Sequence, residues 1–408
     1  MTRLDTRSTS CSATITLVAS ALLGLGVVMV FSASASLTAA PITTDPLRNP
    51  SVRQAAFSFI ALVVMLWVSL YPYRRWEIRD GASFQWPVIL MLVTAILLLL
   101  VLIPGIGEIR NGARRWFSLG PAGVDLGFQP SEVAKLSIVL FLAGVCAKLG
   151  KRLRRFWSGF LPTVAIVGIA IALVGVEDFG TAALLAVVTG GVLLASRARL
   201  RHVLLVGVPT VAAMTGFVLA RPYRVARLLT FLDPYADPQG RGYHQIQSLI
   251  AIASGGWSGH GLGAGIQKYG YLPEGRSDFI FAVVCEELGV IGGAALIALF
   301  LILLWQGRRA MSAAPSEFGR LLALGATLTI GIQAAMNIAV VTVTVPTKGI
   351  ALPLVSAGGT GDLVFGVMLG LLISVARDCR SVRRTPSPAN PSRTPRSGGR
   401  PQNLTSTA

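Results

Sequence analysis

The chain predicts an all-α, polytopic membrane protein with about ten transmembrane helices and a large extracytoplasmic loop, and three observations predict it. Its 408 residues are 53% hydrophobic and only 13% charged, whereas soluble domains carry roughly 25% charged residues. Ten apolar runs follow one another at roughly 15–37, 54–71, 87–104, 133–149, 159–176, 181–196, 202–220, 279–305, 320–345 and 354–376, separated by Gly, Pro or charge clusters. The basic residues gather in short loops between these runs, as the positive-inside bias requires. Topology therefore accounts for the net charge of +18, and no nucleic-acid partner is implied.

Taken in order, the first run is too long for a signal-peptide core and reads as a retained span after a short cytoplasmic N-terminus, 1–14. An even number of spans puts both termini on one side. Arg3, Arg7, Arg74, Arg75 and the clusters at 148–155, 197–201 and 308–320 make that side the cytoplasm. The membrane domain covers 15–377, with extracytoplasmic loops at 105–132 and 221–278. Within the second loop, two Asp-Pro turns at Asp233 and Asp237 precede 244–254, where Ile246, Leu249, Ile250 and Ala253 recur at the spacing of a short amphipathic or re-entrant helix. The tail, 378–408, is rich in Pro, Ser and Arg and is expected to be disordered and attracted to anionic membrane lipids. Cys11, Cys146, Cys285 and Cys379 show no CxxC spacing and only three histidines are present, so neither a disulfide framework nor a zinc site is indicated.

The richest polar stretch is 255–289, and its centre is Asp278, the last polar position before the eighth apolar run. One carboxylate is thereby set at a membrane surface, either as a first-turn acid or cap for the helix or as a catalytic group. Glu286 lies eight residues further on, about 12 Å along a helix and rotated by about 80°. It cannot form a close carboxylate pair with Asp278, so Glu286 and Glu287 read as structural.

Six ordered motifs carry a resemblance to a known family. They are Asn111-Gly-Ala-Arg-Arg-Trp116, Gln129-Pro-Ser-Glu-Val-Ala-Lys135, Gly240-Arg-Gly-Tyr243 through Gln247-Ser248, Leu272-Pro-Glu274 through Asp278-Phe-Ile-Phe-Ala282, Glu286-Glu-Leu-Gly289, and Leu352-Pro-Leu-Val-Ser356 with Gly358-Gly359. Over 15–377 the sequence resembles the FtsW/RodA/SpoVE group, the SEDS membrane glycosyltransferases that polymerise peptidoglycan from lipid II. Phe231-Leu-Asp-Pro234 and Tyr271-Leu-Pro-Glu274 resemble the division-type FtsW/SpoVE branch more than the elongation-type RodA branch. It departs from the family pattern at Glu177-Asp-Phe-Gly-Thr181, at Arg276-Ser277, and at Ser356-Ala-Gly-Gly-Thr-Gly361, which is followed by an unusual Asp362.

The resemblance implies an inverting transfer in which a sugar 4-hydroxyl attacks an anomeric carbon and expels undecaprenyl diphosphate. That reaction needs a base at the hydroxyl and cations at the leaving group. Asp278 is the expected base or ligand of a divalent cation, Mg or Mn. Arg114 and Arg115, whose guanidinium forks suit diphosphate oxygens, are the expected substrate contacts, with Asn111, Glu274, Arg224 and Lys268 beside them; solvated loop charges are the plainer reading of the arginines. Glu132 and Lys135, one helical turn apart, are expected to neutralise one another, and Ser356 and Glu286 to support the site. Asp178 suits either a helix cap or a cavity wall, while Asp362 is expected to face a wet cavity with Lys348 as its partner. No Lys is preceded by Ser at the Ser-x-x-Lys spacing of serine transpeptidases. The resemblance therefore implies a separate class B penicillin-binding protein as partner. The competing readings are a lipid II flippase, for which no internal repeat is visible, and an inactive scaffold, against which the intact Asp278 argues.

Overall fold

The computed structural model describes residues 5–34, 49–78, 85–110, 112–119, 127–220 and 222–378, with side chains except at 5–10 and 222–224. Of the expected disordered tail, Asp378 ends a helix and 379–408 lie outside the described residues. All ten apolar runs are helical: α1 Asp5–Ser34, α2 Pro50–Leu70, α3 Trp86–Leu102, α4 Pro130–Leu149, α5 Leu161–Glu177, α6 Phe179–Ala195, α7 Leu200–Leu219, α10 Ile280–Ala313, α11 Glu317–Val341 and α12 Thr360–Asp378. Eight are long and apolar enough to cross a membrane, and α3 and α6 are shorter apolar helices of 17 residues each.

Local chemistry sets their starts. Pro50, Pro87 and Pro130 occupy the first turns of α2, α3 and α4, where no amide hydrogen is needed. The side chains of Asn49, Asp178 and Ser316 cap α2, α6 and α11 by accepting from Ser51 N, Thr181 N and Gly319 N, each at 3.0 Å.

The bundle is built around α12, most of which is buried. It packs along α2, with α1, α4, α10 and α11 also against it. A Cβ at Gly366 would sit 2.7 Å from Ala61 O and one at Gly370 2.7 Å from Met65 O, so these small residues let the α2 and α12 backbones approach. By contrast, almost none of α7 is buried.

The loops depart from the sequence expectations in four places. The first long loop carries a small antiparallel sheet, β1 Glu108–Arg110, β2 Ala113–Ser118 and β3 Gly127–Phe128, in the order β1-β2-β3. The second contains the expected helix, α9 Tyr243–Ser254, and an additional one, α8 Pro222–Leu232. The eighth span is not continuous, because Gly289 (φ 70°, ψ −171°) breaks α10. A glycine-rich loop covers the break: Val290 N and Ile291 N donate to Gly256 O and Trp257 O, while His260 N and Gly261 N donate to Glu286 O and Glu287 O. Finally, the last helix begins at Thr360 rather than 354, leaving 342–359 as irregular chain. Side chains supply what a helix would have provided, since Gln333 Nε2 donates to Ala351 O, Asn337 Nδ2 to Ile350 O, and Ser356 Oγ accepts from Leu352 N.

Candidate active site

Asp278 precedes α10 by two residues, and Phe279 rather than Asp278 takes the cap position, so the helix-cap reading of this carboxylate is set aside. Its backbone is pinned, because Asn337 Nδ2 donates to Asp278 O at 2.7 Å. Gly349 of the irregular segment passes so close that a Cβ there would lie 2.9 Å from Asp278 Oδ2. The carboxylate stands in the wall between two cavities, of about 560 Å³ and about 1020 Å³, which also share Arg115, Asp178 and Gly349.

Burial raises the Asp278 carboxyl well above the usual carboxylate range, to about 7, with the Glu274 and Asp178 charges adding to the rise and the Arg115 guanidinium opposing it. A carboxylate brought that close to neutrality is a stronger base than an ordinary one.

The smaller cavity is polar. Arg53, Arg110, Arg115 and Arg276 stand in its walls with Glu132, Lys135, Glu274 and Ser356. Lys135 Nζ lies 2.7 Å from Glu132 and donates to Gln333 Oε1 at 2.7 Å, with the Phe365 ring 5.0 Å away, so the expected neutralising pair is present. Ser356 Oγ donates to Ser277 O at 2.5 Å and thereby ties the irregular segment to the Asp278 loop. Glu274 adopts φ 55° and accepts from Ser277 Oγ.

The larger cavity mixes Phe179, Val218 and Leu228 with Arg227, Arg241, His244 and Lys348. Lys348 lies over the Phe179 ring at 4.4 Å, and burial lowers its ammonium below the usual lysine range, with Asp178 opposing and Arg227 assisting.

Several expected residues are placed elsewhere. Lys268 is not in either cavity; its ammonium is buried, 3.5 Å from the buried Glu287 carboxylate and bonded to Gly263 O. Asp362 is partnered not by Lys348 but by Gln54, whose Nε2 lies 2.9 Å from Oδ2. The two arginines part company, because successive residues of a strand face opposite ways. Arg115 lines both cavities, 3.5 Å from Asp178, with an Nε that no described residue accepts from. Arg114 lines neither cavity, and its backbone N–H donates to Glu177 Oε2. Asn111 and the Arg224 side chain lie outside the described residues. Glu286 lines neither cavity and accepts from Ile266 N and Gln267 N of the glycine-rich loop at 2.6 and 3.1 Å. Asp178 fulfils both readings at once, capping α6 and lining both cavities.

Sequence reasoning did not pick out Arg53, Arg110 or Arg276 as cavity cations. The available signal was Arg53-Gln54, a polar pair opening an apolar run, which is costly unless it faces a wet interior.

Ten apolar helices around two cavities that share a buried carboxylate and the Arg115 guanidinium define a multi-pass membrane protein with an enzyme-like site. The chain matches the FtsW/RodA/SpoVE cell cycle protein model over residues 12–381, and it belongs to that family. It is 36% identical to stage V sporulation protein E of Bacillus subtilis over 92% of this chain and 100% of the relative. It is 41% identical to the probable peptidoglycan glycosyltransferase FtsW of Alkalilimnicola ehrlichii over 90% of each. Among solved structures, a chain from a peptidoglycan synthase complex that coordinates polymerisation and crosslinking superposes with a TM-score of 0.69 at 28% identity, covering 90% of this chain and 97% of that one. RodA of Thermus thermophilus gives 0.62 at 26%, covering 90% and 96%.

The separation of the two arginines has a measurable result. Losing a charged hydrogen-bond partner removes about 1.5–3 kcal/mol, so Arg115→Ala should lower kcat/KM by roughly 10- to 150-fold. Arg115→Lys keeps the charge without the fork and should fall between Arg115→Ala and the wild type. Arg114→Ala should leave kcat/KM near the wild-type value in the same assay.

Proposed function

We propose that this protein is a division-type peptidoglycan glycosyltransferase that joins lipid II molecules at the outer face of the cytoplasmic membrane, with both termini in the cytoplasm. The observation that carries the reading is the position of Asp278 in the wall shared by two cavities. A transfer between two lipid-linked sugars needs one base within reach of both partners.

In that reaction the Asp278 carboxylate takes the proton of the acceptor 4-hydroxyl as its oxygen forms a bond to the donor's anomeric carbon. The bond from that carbon to the diphosphate oxygen breaks with inversion. Arg115, held by Asp178, receives charge on the departing diphosphate, and its unpartnered Nε supplies a further donor. Among the described residues no group of three or more protein ligands could cage a metal. As the alternative to its role as base, Asp278 would serve as a ligand of a Mg or Mn ion, since such ions take one or two carboxylates together with substrate phosphates. When bound, the ion would neutralise diphosphate charge. The partner is a class B penicillin-binding protein, a reading supported by the likeness to a synthase complex that combines polymerisation with crosslinking.

The test is polymerisation of labelled lipid II by the purified protein, with and without its partner, chelator and added Mg. Because the base must be ionised, kcat/KM should rise about tenfold per pH unit below about 7 and level off above it. Absence of glycan product under every condition would overturn the assignment. A profile that is flat from pH 5 to 8 would remove Asp278 as the base.

A further inference from the structure

The floor of the smaller cavity holds a carboxylate that the reaction above does not use. Asp362 sits in the first turn of α12 and is only 2% exposed, yet it lines the cavity. An ionised carboxylate has about four acceptor sites. Gln54 Nε2, which also reaches Ser58 Oγ and Ser356 O, donates to Oδ2. No described residue hydrogen-bonds to Oδ1.

Nearby charge does not satisfy it. The lysine in the same cavity wall, Lys135, is committed to Glu132 and Gln333, and Glu132 itself bears the same sign as Asp362. The cavity wall beside Oδ1 is built of small residues. Gly358 carries no side chain where a Cβ would stand 3.8 Å from that oxygen, and the neighbouring wall residue Ala357 is small. A buried acceptor with one protein partner and an open approach is arranged for a donor that arrives from the cavity.

We propose that Asp362 is a specificity-determining residue, whose free oxygen accepts a hydrogen bond from an N–H or O–H of the bound lipid-linked sugar while Gln54 holds the carboxylate in place. This rests on the polymerase reading. The plainer account, an acid placed to favour the N-terminus of α12, explains neither the cavity-facing oxygen nor the amide clamp. That account forecasts a lower thermal midpoint and an unchanged KM for an apolar replacement, whereas relief of the buried charge's desolvation leaves the midpoint unchanged or higher.

Lipid II polymerisation by the purified full-length chain in nanodiscs separates the accounts, read as kcat and KM alongside the thermal midpoint. Asp362→Leu should raise KM about tenfold, equivalent to about 1.4 kcal/mol, leave kcat near the wild-type value, and leave the midpoint unchanged or higher. Asp362→Asn, nearly the same shape, has one carbonyl oxygen to serve either Gln54 or the ligand but not both, so its KM should also rise, by less than the Leu variant's. An unchanged KM in either variant, or a loss confined to kcat, overturns the inference. If Asp362→Leu lowers the midpoint, the Asn variant decides, and a wild-type KM there again overturns it. Failure of the wild-type protein to polymerise lipid II would defeat the polymerase reading itself and is recognisable as such.

Discussion

Asp278→Asn should lower the polymerisation rate by about 10²- to 10⁴-fold, the range that a positioned general base contributes, while the protein stays folded. The two halves of this expectation come from the same geometry. The amide fills the space of the carboxylate beside Gly349 and leaves the Asn337 bond to the backbone oxygen intact, so the loop retains its anchors. Because the folded-state carboxyl is raised to about 7, above its ordinary value, the folded protein binds that proton more tightly than the unfolded chain does. Ionising the group as pH rises through about 7 therefore costs stability. A neutral amide avoids that cost, so at pH 8 the variant should melt no lower than the wild type. A variant that both polymerises normally and melts normally would remove Asp278 from the mechanism. One that is inactive only because it is unfolded would show a lowered midpoint.

The second large effect is expected far from the chemistry. Glu287 accepts from Ser32 Oγ at 2.6 and 2.7 Å, from Gly263 N at 3.1 Å, and pairs with Lys268 at 3.5 Å, with both charged side chains at most 1% exposed. One carboxylate thus holds α1, the glycine-rich loop and α10 together beside the Gly289 break. Glu287→Ala should destabilise the protein by about 3–5 kcal/mol, because it leaves a buried ammonium without its countercharge. The readout is the thermal midpoint in detergent, together with increased proteolysis at 255–268. Combining Glu287→Gln with Lys268→Met removes both charges and should recover most of the loss. If Glu287→Ala alone melts like the wild type, the buried pair is not what holds this loop.

The spans were legible in the sequence because the membrane imposes a local rule. Each crossing segment must be apolar over enough length and must satisfy its own backbone, and both conditions are written in consecutive residues. The helical character of 244–254 was legible for a related reason, since its apolar spacing is local. The break at Gly289 was not, because the hydrogen bonds that permit it come from 256–261, some thirty residues earlier in the chain. The one local hint is Glu286-Glu287 followed by Gly289, two charges and a residue free to take positive φ inside the run.

The site divides along the same line. Sequence alone determined the class of the protein, its ten apolar helices, and the prominence of Asp278, Arg115 and the Glu132–Lys135 pair, because these sit within contiguous motifs or one helical turn apart. Only the tertiary structure decided that Arg115 lines both cavities while Arg114 lines neither, that Lys268 pairs with Glu287, that Asp362 is clamped by Gln54 rather than Lys348, and that Arg53 and Arg276 share a cavity. These depend on which residues packing brings together, from 19 positions apart for Lys268 and Glu287 to 308 for Gln54 and Asp362, or on which face of a short strand a side chain occupies. A charge in a sequence declares its sign, but its partner is chosen by packing, and in a buried setting the partner determines what the charge can do.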